Sequence, residues 1–200
     1  MSENNILNWK NIYGMSVMCN DIDYGIVIDC VVSGKTAVTT IFCQRDKMLR
    51  SFKLNKCKYY EDYIEVQDGE IYPIVEKEGF FKNFESNLQV LSLSIYTKSL
   101  VYKGVTTSFL FNEKTGKLIA LEVASLNGTS VILPLSLIID GTKGLLIVSD
   151  SYDDIEKEAI LERKIRKSRR NSDTEELPKL KYAHNQNEFI YELRKKSDKY

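Results

Sequence analysis

Four cysteines, Cys19, Cys30, Cys43 and Cys57, lie in the first third of this 200-residue chain. Thiolates hold zinc and carry redox chemistry, so their spacing is the first test. The separations are long and no C-x-x-C pair occurs, whereas a zinc site usually takes at least one close pair. A disulfide framework belongs to secreted chains. The N-terminal MSENNILNWK has no basic region followed by an apolar core, so it does not read as a secretory signal. The thiols are expected to be reduced, acting as small apolar side chains on strands.

Other chemistry is thinner still. His184 is the single histidine and lies in a polar C-terminal stretch, where a Ser-His-Asp or Cys-His relay has no nucleophile beside it. Asp21-Ile22-Asp23 begins like a calcium loop, but position twelve is Val32 rather than a glutamate. Glu61-Asp62 reads as two solvated neighbours in a turn. Glycines stand singly, so no phosphate-binding loop is present. The expectation is a non-enzymatic protein without metal or cofactor.

Two kinds of residue suggest binding instead. Arg163, Lys164, Arg166, Lys167, Arg169 and Arg170 form the densest basic run. The plainer account is a helix end whose cations complement the helix dipole. The alternative is a set of phosphate contacts to RNA, without aromatic interleaving to stack bases. Phe80, Phe81 and Phe84 sit between two strand-rich blocks, as a plug at their junction or as an exposed docking patch. Phe189, Ile190 and Leu193 form a second apolar cluster near the C-terminus, within an expected short helix at 187–196.

The elements that position these residues are mainly β. Val105, Thr107, Phe109 and Phe111 alternate along one strand, and Ile119, Leu121 and Val123 along the next. Asn112 to Lys117 is the hairpin between them, and Asn127-Gly128 turns into a third strand, Val131 to Leu135. An earlier block from Ile12 to Val75 has the same order. Gly25 matches Gly104, Gly34-Lys35 matches Gly116-Lys117, Ser51–Leu54 matches Ser130–Leu133, and Tyr63–Val66 matches Leu145–Val148. Each block is marginal in size for an independent core, so the two are expected to pack on each other or on a partner. Trp9, which precedes the first strand, is expected to cap an open barrel end rather than to bind a ligand. A helix is expected from Ser151 to about Arg170, with acids first and bases last, followed by a disordered stretch.

The duplicated pattern resembles a tandem of PRC-barrel domains, the family shared by the photosynthetic reaction centre H subunit and the C-terminal part of the ribosome maturation factor. Tyr13-Gly14-Met15-Ser16-Val17 resembles its opening strand, and Gly25-Ile26-Val27-Ile28-Asp29 its glycine–aliphatic–acidic element. Gly104 to Phe111, the loop through Gly116, and Leu118 to Val123 resemble its central hairpin. The second copy departs from the pattern, with Ser92 or Ser94 at the opening glycine and Ser108 at the place of Asp29. The resemblance implies two small closed six-stranded barrels, at 10–78 and 88–150, followed by a charged helical and partly disordered tail at 151–200. It implies binding of another protein or a ribonucleoprotein, and brings no catalytic residues.

Lys plus Arg equals Asp plus Glu, at 28 each, so the chain as a whole has no pull toward RNA or anionic membrane. No apolar run approaches the length of a membrane span. A cytoplasmic adaptor is therefore the leading expectation, with homo-oligomerisation compatible. An RNA- or ribosome-associated factor using 163–170 is the alternative.

Overall fold

The computed structural model describes residues 6–33, 37–74, 90–142 and 144–171, the last five as backbone only. They fall into two compact units, Met1–Glu156 and Lys157–Tyr200. The first unit is mainly β. Its early elements are β1 (Ile6–Asn8), α1 (Trp9–Ile12), β2 (Ser16–Cys19), β3 (Ile22–Ser33), β4 (Ala37–Arg45) and β5 (Met48–Lys53). A 3-10 turn, Leu54–Lys56, leads to β6 (Cys57–Tyr59), β7 (Tyr63–Val66) and β8 (Tyr72–Pro73). Then follow β9 (Ser94–Thr97), β10 (Tyr102–Asn112), β11 (Leu118–Ser125) and β12 (Ser130–Pro134). A second 3-10 turn, Leu135–Leu137, leads to β13 (Ile138–Thr142), β14 (Leu145–Val148) and the helix α2 (Tyr152–Asn171).

The strands form two sheets. The first has the order β6-β7-β2-β3-β4-β5-β8. The second, written in the same direction, runs β13-β14-β9-β10-β11-β12, with β1 added on β10. In each, one pair is parallel, β2 with β7 and β9 with β14, and the other pairs are antiparallel. The six strands β2 to β7 thus connect in the same way as β9 to β14.

Chain connectivity requires both sheets to curl. β5 and β6 lie at opposite ends of their six-strand path, as do β12 and β13. Six strands laid flat would separate those ends by about 24 Å. The 3-10 turns leave only four Cα steps, a reach of at most about 15 Å. Each sheet therefore bends its ends toward one another, though no hydrogen-bonded ladder joins them among the described residues. Val17, Val27, Ile41, Cys43, Phe52 and Ile64 are buried in the first sheet, and Ile95, Phe109, Leu121, Val123, Leu133 and Val148 in the second.

Backbone details repeat at corresponding places. Gly25 and Gly104 both have positive φ, +101° and +143°. A Cβ there would stand 2.0 Å from the Gln44 carbonyl oxygen in the first case and 2.1 Å from that of Ala124 in the second. The approach of the neighbouring strand explains the glycine at both positions. At the opening corner the Gly14 N–H donates to Val27 O and the Ser92 N–H to Thr106 O, each at 2.9 Å. Ser92 adopts φ 61° where Gly14 has 82°. Ser92, not Ser94, therefore holds the place of the glycine.

The registers also correct the sequence reading. Gln44 pairs with Leu49 and Ala124 with Ser130. Ser130 thus corresponds to Leu49, two residues from the match with Ser51, because each hairpin turn of the second sheet is one residue longer. Tyr63–Val66 and Leu145–Val148 do correspond, since Tyr63 faces Ser16 and Leu145 faces Ser94. Asn20 and Asp21 form the turn between β2 and β3, and Ile22, within the stretch that begins like a calcium loop, begins β3. Gly34 lies outside the described residues.

Candidate functional site

The N-terminal residues form a strap on the second sheet, which their sequence did not reveal. Ile6–Asn8 pairs antiparallel with Leu110–Asn112. Trp9 is buried and stacks on Phe109, with centroids 5.6 Å apart and planes 6° from parallel. It thus covers the aromatic core of the second sheet. Asn8 starts α1 as its N-cap, accepting from the Lys10 N–H at 3.1 Å. The Ser108 hydroxyl donates to Asn8 Oδ1 at 2.7 Å and accepts from the Lys10 N–H at 3.1 Å.

Glu122 closes this strap. Glu122 is 7% exposed, and its carboxylate accepts from Lys10 Nζ at 2.8 and 2.9 Å, Ser130 Oγ at 2.7 Å and Asn8 Nδ2 at 3.2 Å. Burial alone would raise its pKa. The bonds from Lys10, Ser130 and Asn8 outweigh burial and hold the carboxyl below its ordinary value. A buried acid so fully bonded is built as a fastening and keeps no free lone pair for a proton-transfer role. The sequence signal was the single acid inside the apolar stretch 118–125.

Two further contacts organise the unit. The Val38 N–H donates to Gly116 O at 2.8 Å, and Ala37 bridges to Lys117. A Cβ on Gly116, whose φ is +70°, would stand 2.0 Å from Val38 O. The β10–β11 hairpin thus rests on β4 through a glycine. At the far end, Lys103 Nζ lies 2.6 Å from Asp153 Oδ1 and 3.7 Å from Glu156 Oε2. Ser125 Oγ and Asn127 Nδ2 both donate to Glu156, and Tyr152 is fully buried. These contacts seat the first turn of α2 on the second sheet.

All four thiols are free. Burial is the leading cause raising each of their pKa values, to about 11 for Cys43 and for Cys57. Thiolate is the reactive form, so these are poor nucleophiles at neutral pH. Among the described residues no group of three or more His, Cys, Asp or Glu is placed to hold a metal ion. No described helix is long and apolar enough to cross a membrane. An open hollow of about 210 Å³ lies among Ile6, Leu7, Met15, Tyr59 and Tyr60. That is below the usual size of a small-molecule site.

Of the binding residues expected from sequence, Arg163, Lys164 and Arg166 lie exposed on α2, with Arg166 Nη2 3.8 Å from Glu162 Oε2. Lys167, Arg169 and Arg170 continue that helix in its backbone. Phe80, Phe81, Phe84, Phe189, Ile190, Leu193 and His184 lie outside the described residues. Sequence reasoning missed the surface apolar residues of the sheets, including Ile22, Ile26 and Met48 on the first and Leu126 and Ile139 on the second.

No family model matches the chain, and a search of curated proteins finds no match.

Proposed function

We propose that the chain is a non-enzymatic adaptor built from two PRC-type barrels, with a charged C-terminal extension, that binds another protein. The observation carrying this reading is the shared connectivity of β2–β7 and β9–β14, with Gly25 and Gly104 each against the corresponding neighbouring strand, β4 and β11. It supports the resemblance read from sequence, in which small barrels serve as docking modules. The interiors are filled by apolar side chains, and the polar groups at Glu122 and Lys103 fasten elements together. Protein binding then falls to the outer surfaces and edges. An RNA-associated role is the second reading, favoured by the exposed Arg163, Lys164 and Arg166 on α2.

Affinity capture with the intact protein, with and without nuclease, tests the two. The adaptor reading expects partners that survive nuclease and survive replacement of Arg163, Lys164, Arg166, Lys167, Arg169 and Arg170 by glutamine. Polar replacement of Phe80, Phe81 and Phe84, or of Phe189, Ile190 and Leu193, asks which apolar cluster contributes. Loss of all partners on nuclease treatment, together with RNA binding that weakens steeply with salt, overturns the adaptor reading.

A further inference from the structure

We infer that the outer edge of β12 is a docking edge that takes an extended, proline-containing apolar peptide from a partner protein by strand addition. This rests on the adaptor reading and assigns its surface. In the first sheet the corresponding edge is already occupied. β8 pairs antiparallel with β5, Tyr72 facing Ser51 and Pro73 facing Arg50, and the Ile74 N–H donates to Leu49 O at 2.9 Å. In the second sheet no strand pairs with the outer edge of β12 among the described residues. After β14 the chain turns into α2, so the segment that could repeat the role of β8 is helical.

The register says which groups await a partner. Leu49 points its carbonyl outward, and Ser130 corresponds to it, so Ser130 and Ile132 direct their N–H and C=O groups away from β11. Pro134 falls in the same outward set, where the N–H it lacks is not needed by β11. Composition agrees. The other end strands of the two sheets carry a charge or are covered: β6 carries Lys58, β13 carries Asp140, and β5 is covered by β8, whereas the proline of β12 stands at its last residue and leaves Ser130 and Ile132 open. β12 reads Ser-Val-Ile-Leu-Pro, without a charge, and Ser130 is exposed. Uncharged, unpaired edges invite strand addition, and proteins that do not use them block them. The occupant's chemistry is taken from the segment that fills the equivalent edge, Ile71-Tyr72-Pro73-Ile74.

The test uses the full-length, isotope-labelled protein and a synthetic peptide of the sequence Gly69 to Ile74. At about ten times the Kd, amide exchange at Ser130 and Ile132 should slow by about tenfold. A peptide N-methylated at its final isoleucine lacks the donor that Ile74 gives to Leu49, and should bind at least about tenfold more weakly. Ile132→Pro in the protein should weaken the unmodified peptide similarly. Peptide shifts that map away from β12, or N-methylation without effect, overturn the proposal. So does protection of Ser130 and Ile132 before peptide is added. Protection that rises with protein concentration would make the occupant a second copy, and constant protection would make it this chain itself. Partners captured equally by Ile132→Pro would remove this edge and leave the adaptor reading standing. Peptide binding at β12 without any captured partner would do the reverse.

Discussion

One cross-strand row separates the two sheets. In the first it reads Asp29, Phe42, Ser51, and in the second Ser108, Glu122, Ile132. Phe42 and Glu122 stand at the same place in the ladder and both are buried, at 4% and 7% exposure. An aromatic ring solves burial there by apolar contact. A carboxylate solves it only because Lys10, Asn8 and Ser130 converge on it. The same backbone thus accepts opposite chemistry, provided the cover over it changes too. The strap is that cover for the second sheet.

The largest expected effect tests whether the two frames are equivalent. Gly25→Ala and Gly104→Ala each push a methyl into a neighbouring carbonyl, at a residue with positive φ. Each should cost at least about 3 kcal/mol, read as a drop in denaturation midpoint. A large loss for one and none for the other would break the comparison. Gly116→Ala comes next, because its methyl must displace Val38 O. One shared unfolding transition is expected for the two sheets, which lie in one compact unit and meet through Gly116 and Val38, so tryptophan fluorescence at Trp9 and far-UV circular dichroism should give the same midpoint.

Glu122→Ala should cost about 2 kcal/mol, through the lost charged hydrogen bonds and the space left behind. Glu122→Leu should cost less, since it moves the row toward the solution of the first sheet. Acid should act in the same direction as Glu122→Ala. The folded carboxyl titrates below its ordinary value, so its contribution is present at neutral pH and is lost as pH falls through that lowered value. Glu122→Gln should flatten that acid limb of the stability profile. The smallest effect is a gain: Ser92→Gly removes a left-handed serine and should stabilise by about 0.5 kcal/mol.

Much of the frame was legible because it is written locally. Alternation marked β10 and β11, and Gly25 with Gly104 marked equivalent places in the two blocks. Tyr63–Val66 and Leu145–Val148 fell in the same register. The match of Ser51 to Ser130 slipped by two, because single-residue differences in turn length carry no hydrophobic signal. The strap was not legible at all. Ile6 to Ile12 is too short for periodicity, and its partners, Phe109, Ser108 and Glu122, are distant in sequence. Lys10 and Glu122 announce themselves only when the sheet brings them together. The occupied and bare edges of β5 and β12 depend on pairing, which no single strand's sequence states.

The strap also has a consequence in time. Asn8 and Glu122 are 114 residues apart. At roughly 5–20 residues per second, the ribosome makes the strap several seconds or more before β11 exists to receive it. The first sheet has all its strands before then, while Trp9 and the apolar residues around it still lack their platform. A helper that shields nascent apolar segments would therefore meet this chain at its beginning, and release of the strap would be among the last events of its maturation. Long-range closure of this kind is slow in isolated chains as well. Refolding followed by Trp9 fluorescence should lag behind refolding followed by amide protection in the first sheet.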